Sequence, residues 1–153
     1  MSLDALRSHS ELLRAASDQV FAFLDTVAEE LVFEQGALLF EEDDSATTFY
    51  LIAKGKVGLE VPMASGLPVL IETLGPGDLV GVSWLFPPHR WSWRARALDE
   101  TTTFAFDATT VREECKVDDQ LALSVYRTVA AEAVERLHAA RVRVLDLYPG
   151  ERH

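Results

Sequence analysis

From Leu31 to about Asp107 the chain is a succession of short apolar runs rich in Val, Ile, Phe, Tyr and Thr, punctuated by Gly36, Gly55, Gly66, Pro68, Gly75, Pro76, Gly77 and Gly81. Turn residues recurring every eight to twelve or so positions leave each run long enough for a strand and too short for a helix. The runs predict strands at Ala37 to Phe40, Thr47 to Ala53, Lys56 to Val61, Val69 to Leu74, Asp78 to Val82, Trp93 to Leu98 and Thr103 to Phe106. Such a series closes into a sandwich or a β-roll. In the run Phe49 to Ala53 both faces are apolar, as expected of a strand covered on both sides.

Helical spacing brackets this region. In residues 1–30, Leu12, Leu13, Val20, Phe21, Phe23 and Leu24 recur at threes and fours, and Ser17 is placed as an N-cap. Periodicity returns near Thr110, breaks at Lys116 to Asp119, and continues to Leu147 without Gly or Pro, with Asp118 or Asp119 as the expected cap. The fold class is therefore mainly β with flanking helices: N-terminal helices in 1–30, a β-roll in 31–107 and C-terminal helices in 108–148, all in one domain.

The last helix carries a second pattern. Tyr126, Ala130, Ala133, Leu137, Ala140, Val144 and Leu147 fall at alternating steps of four and three, the heptad seam of a two-helix contact. At 1.5 Å per residue the helix is about 45 Å long, more than a small roll can cover. The alanines permit close approach, so the expectation is a parallel homodimer; the alternative is that the whole stripe packs on the chain's own sheet.

Composition narrows the classes of function. The 153 residues are 48% hydrophobic and 25% charged, an ordinary folded composition. The net charge of −11 disfavours a nucleic-acid phosphate backbone or an anionic membrane as partner. Cys115 is the one cysteine, so no intramolecular disulfide forms, and Met1 to Arg14 lacks the apolar stretch of a signal peptide. No run approaches the roughly 20 apolar residues of a membrane span. The chain is expected to be cytoplasmic.

Three stretches carry a family likeness: Phe33-x-x-Gly36-x-x-Leu39-Phe40, then Phe49-Tyr50-Leu51-Ile52-x-Lys54-Gly55-x-Val57, then Leu74-Gly75-Pro76-Gly77-Asp78-Leu79-Val80-Gly81. In order and spacing the chain resembles the cyclic-nucleotide-binding domain of the bacterial catabolite-activator (Crp/Fnr-type) superfamily, over nearly its whole length. Lys54-Gly55-Lys56 and Gly75-Pro76-Gly77-Asp78 read as tight turns, so their glycines are structural.

The resemblance implies that ligand chemistry sits in the phosphate-binding cassette, here Gly81 to Ala95. A cyclic nucleotide asks for a guanidinium and backbone N–H groups around its phosphodiester and a carboxylate for its ribose hydroxyl. The family supplies an Arg and a Glu. In the simplest alignment Trp91 stands at the Arg position and Val82 at the Glu position, while Ser92 matches the neighbouring hydroxyl. On the long helix, the residues aligned with the adenine-facing hydroxyls are Ala140 and Arg141. The candidate ligand-binding residues are Gly81, Val82, Ser83, Arg90, Trp91 and Ser92. Arg90 lies one residue from the expected position, and whether Arg90 or Arg94 faces the pocket turns on the alignment around Pro87-Pro88.

The stretch Trp84 to Arg96 holds Trp84, Trp91 and Trp93 with Phe86, Arg90, Arg94 and Arg96. It reads either as an aromatic pocket or contact surface, or as tryptophans that make a former nucleotide cavity solid. Glu41-Glu42-Asp43-Asp44 lacks the spacing of a calcium loop and reads as a solvated turn, with Asp43 at a site where the family carries Gly and a left-handed conformation is tolerated. His9, His89, His138 and His153 show no metal-ligand spacing, and Cys115 reads as a small hydrophobe. The superfamily's DNA-reading module follows the long helix, where this sequence has only Tyr148 to His153, so direct DNA binding is not expected.

The expected function is a non-enzymatic regulatory or assembly module, a homodimer with an unidentified protein partner, no cofactor and a degenerate cassette. The alternative is a genuine sensor of cAMP or another small anion that signals through the dimer helix. A cupin-like metal enzyme stands third.

Overall fold

The computed structural model describes residues 2–14 and 16–147; in the last helix the side chains at 140, 143, 144, 146 and 147 lie outside the described set. After a 3-10 turn at Leu3–Leu6 come α1 (Glu11–Arg14) and α2 (Asp18–Val27). Eight strands follow: β1 (Glu29–Phe33), β2 (Leu38–Phe40), β3 (Thr48–Lys54), β4 (Val57–Val61), β5 (Val69–Leu74), β6 (Leu79–Val80), β7 (Arg94–Ala97) and β8 (Thr101–Asp107). Two helices close the chain, α3 (Ala108–Cys115) and α4 (Asp119–Leu147).

The strands form two antiparallel four-stranded sheets, ordered β1-β8-β3-β6 and β2-β7-β4-β5. Their buried side chains belong to one apolar core, so the architecture is a β-roll with flanking helices. In β3, Phe49 to Ala53 are all buried, as the apolar run on both faces requires. β1 is an addition to the predicted strands. Its burial does not alternate cleanly and Val32 is exposed, because it is an edge strand paired with β8 alone.

Side-chain caps set the helix starts. Ser17 Oγ accepts the Val20 N–H at 3.2 Å, Asp107 Oδ1 accepts that of Thr110 at 2.9 Å, and Asp118 Oδ1 takes those of Gln120 and Leu121. Each satisfies donors that the first helical turn cannot pair internally. Of the two expected caps for α4, Asp118 is the one used.

The β5–β6 turn fixes the N-terminal segment. Gly77 has φ +89°, and a β-carbon there would overlap the backbone of His9. Only glycine meets both demands. Asp78 Oδ2 accepts the Gly75 N–H at 2.9 Å across the turn. α4 joins the core through Leu121, Val125 and Val129, with Ser124 and Thr128 also buried, and packs on α1, α3 and β5. No described helix is long and apolar enough to cross a membrane.

Candidate ligand site in the cassette

β6 runs directly into Gly81, which has φ +85°. A 3-10 turn, Ser83–Leu85, and a loop then lead to β7. Trp91, in that loop, is only 4% exposed. Its ring stacks on Phe40 with centroids 3.9 Å apart and planes 9° apart, and its edge lies so close to Gly81 that a β-carbon there would overlap it. Residue 81 must therefore be glycine for its φ and for the indole. The backbone holds the ring in place, with the Trp91 N–H donating to Asp44 O at 3.0 Å and Trp91 O accepting from the Asp43 N–H at 2.8 Å.

The second tryptophan is also internal. Trp84 is 1% exposed and stacks on Phe49 at 3.8 Å. Its indole N–H is buried and has no hydrogen-bond partner among the described residues. Its carbonyl accepts from Arg112 Nη1 at 2.6 Å, tying the cassette to α3. Trp93 is half-buried at the edge of the core. Trp84 and Trp91 are thus both buried within the chain.

Ser83 and Ser92, expected at the site, come together with their hydroxyls 3.2 Å apart. Val82 packs half-buried against the core. The arginines are engaged elsewhere. Arg90 is exposed and donates to Asp43 O at 2.8 Å, across a turn in which Asp43 takes φ +70°. Arg94 donates through Nε to Glu60 at 2.7 Å, with its Nη1 3.7 Å from Glu41. Arg96 donates to the same Glu60 oxygen at 3.1 Å and to Gly36 O at 2.8 Å. Arg94 is thus part of a cross-sheet ion cluster around Glu60, which is 4% exposed.

On α4, Arg136 reaches the roll. Its Nε lies 2.9 Å from Glu72 on β5, and its Nη2 is 3.5 Å from Leu79 O. Arg141 is exposed, and the Ala140 side chain lies outside the described residues.

Tyr126, Ala130, Ala133 and Leu137 of the predicted seam are all exposed in the isolated chain, Leu137 by 65%. Their neighbours Leu123 and Val134 are exposed too. The side chains of Ala140, Val144 and Leu147 lie outside the described residues. The stripe buried in the chain's own core is a different one, that of Leu121, Val125 and Val129. At the start of α4 the Tyr126 ring meets Phe86 of the cassette edge-on, centroids 6.3 Å apart.

Among the described residues no group of three or more His, Cys, Asp or Glu side chains is arranged to hold a metal ion. Cys115 is half-buried, and burial, with help from Asp118 and Glu114, pushes its thiol up to about 11. Sequence reasoning missed three partners: Phe40, Glu60 and Glu72. The one available signal was the Arg94-x-Arg96 alternation, which puts both cations on one face of a strand.

Comparison with known proteins places this geometry. The family model for the cyclic nucleotide-binding domain matches residues 30–118. The cyclic AMP receptor protein of Thermus thermophilus is 32% identical over 116 residues, covering 76% of this chain and 50% of the relative, so the chain spans about half that relative's length. A protein of Geobacter metallireducens GS-15, described as a cyclic nucleotide-binding protein, superposes with a TM-score of 0.79 at 25% identity, covering 90% of this chain and 99% of the other. The N-terminal domain of a transcriptional regulator from Streptomyces coelicolor A3(2) gives 0.69 at 27% identity, covering 90% and 95%. The family match runs from β1 through the cassette to the end of α3, and on that match the chain belongs to the cyclic nucleotide-binding domain family.

Proposed function

We propose that this chain is a single-domain regulatory or assembly module, non-enzymatic and homodimeric, in which Trp91 occupies the place where a cyclic nucleotide's phosphodiester would be held. The observation that carries the reading is the Trp91 indole, buried between Phe40 and Gly81 in the cassette. An indole offers a neutral N–H where a phosphate asks for a charged fork of donors. Val82, half-buried and apolar, offers the ribose no acceptor.

Each lost charge-assisted bond to a buried anion costs about 2–5 kcal/mol, so losing both removes several powers of ten in affinity. Arg90, exposed, is held by its Nη1 donating to the Asp43 carbonyl. α4 supplies the second half of the proposal. Its exposed stripe of Leu123, Tyr126, Ala130, Ala133 and Leu137 follows heptad spacing, and a second copy of the same helix is the partner that spacing fits. A charge of −11 favours a protein over a nucleic acid as the partner regulated.

A thermal-shift titration with cAMP, cGMP and cyclic dinucleotides tests the reading, because a ligand that binds only the folded state raises its stability by RT ln(1 + [L]/Kd). The name of the Thermus relative makes cAMP the first ligand to try. The expected result is no shift at millimolar nucleotide. A saturable shift with a micromolar midpoint would establish the sensor reading instead, and Arg90→Ala would then be the variant to make.

A further inference from the structure

The seat of α4 on the roll contains more carboxylates than cations can neutralise. Arg136 is the cation between them, 2.9 Å from Glu72 and 3.8 Å from Glu132. All three side chains are largely shielded from water, at 14%, 19% and 15% exposure. A cavity of about 340 Å³ opens beside them. Asp78 of the β5–β6 turn lines it, together with Glu135 of α4. From the N-terminal segment come His9, Glu11 and Arg14, of which Arg14 lies 3.7 Å from Glu11. Glu132 and Glu72 thus share one guanidinium, with Asp78 on the wall of the same cavity.

We propose that α4 is latched to the roll by a proton held within this carboxylate group, so that the seat of the helix tightens on the acid side of neutrality and loosens on the alkaline side. Like charges in a partly dry site cannot all ionise without mutual repulsion, and Glu132 is the member placed to take the proton. Burial, then Asp78, and more weakly Glu72, push its carboxyl up to about 7, against the pull of Arg136 and the Leu79 N–H. Unfolded, the same carboxyl titrates near 4.5. The folded chain therefore holds more protons between those two values. Stabilisation is complete below about 4.5 and is lost as the pH rises through about 7. The latch acts within one chain and does not depend on whether a nucleotide binds.

The test compares the intact protein with Glu132→Gln, which keeps the shape and cannot titrate. From pH 5.5 to 8.5 the melting temperature of the wild type should fall relative to that of the variant. The folding equilibrium should change by about thirtyfold more in the wild type. Protection factors for the amides of Leu121 to Arg136 should fall over the same interval in the wild type and stay level in Glu132→Gln. Parallel pH profiles would overturn the proposal. Should Glu132→Gln fail to fold, Asp78→Asn retains an acceptor for the Gly75 N–H while removing one charge, and it should move the pH-dependent step to lower pH. An unmoved step would equally overturn it.

Discussion

Trp91→Ala removes the side chain on which the proposed function rests, and its cost can be worked from the contacts. The indole is 4% exposed and stacked on Phe40 at 3.9 Å, with Gly81 beneath its edge. Truncating a buried tryptophan forfeits its transfer free energy and leaves a cavity, together about 3–5 kcal/mol, of which the ring stack accounts for roughly 0.5–1.5. The neighbours have little freedom to collapse into the gap, because residue 91 is pinned by its backbone to Asp43 and Asp44. For a chain of this size each kcal/mol moves the midpoint by about 2–4 °C, so the melting temperature should drop by roughly 6–20 °C. The assay is thermal unfolding followed by circular dichroism, repeated in the presence of free indole. The vacated slot should bind indole, and an excess of 100 times Kd would return about 2.7 kcal/mol. A loss below about 1 kcal/mol, or no response to indole, would refute the reasoning that Trp91 fills a shaped interior position.

Four other perturbations follow from the same structure. Glu60→Ala leaves Arg94 and Arg96 without their shared carboxylate and should cost about 3 kcal/mol in chemical denaturation, with Glu60→Gln costing less. Gly77→Ala forces a side chain onto a left-handed backbone and into His9, and should cost more than ~2 kcal/mol by the same assay. Leu137→Glu should halve the mass measured by light scattering, while the melting temperature of the separated chain stays within that expected of an exposed substitution, about 0.5 kcal/mol of stability. Cys115 gains its thiolate only as pH rises through about 11, two units above the ordinary value of 9.0, so at pH 8 a thiol reagent should modify the folded chain at least about a hundredfold more slowly than the unfolded one.

The roll was legible in the sequence because its turns are written in glycine, proline and aspartate at positions where the backbone demands them, and because β3 is apolar on both faces. β1 was not. Glu29 and Glu30 look like the polar end of the preceding helix, and an edge strand in contact with one neighbour imposes no strict alternation on its sequence. At the site, the reading that Val82 and Trp91 stand where the family carries Glu and Arg comes from the resemblance and its simplest alignment. What Trp91 touches could not be read that way, since Phe40 comes from the other end of the roll. The fate of the arginines was equally hidden. Glu60 meets Arg94 and Arg96 through the register of β4 against β7, which sequence separation does not reveal. The rotation of α4 about its axis decides that Arg136 faces Glu72, which the spacing of the helix does not reveal.

The central claim, that an indole stands where the nucleotide phosphate would be held, is tested most directly by following the indole itself. The three tryptophan side-chain N–H signals can be resolved in a proton–nitrogen correlation spectrum, with Trp91 assigned from Trp91→Phe, and observed as cAMP is added to about 1 mM, a level at which a micromolar site would be saturated. The account predicts that the Trp91 resonance keeps its position and linewidth throughout. A saturable displacement of that resonance with a micromolar midpoint would show that cAMP enters the cassette, and would contradict it.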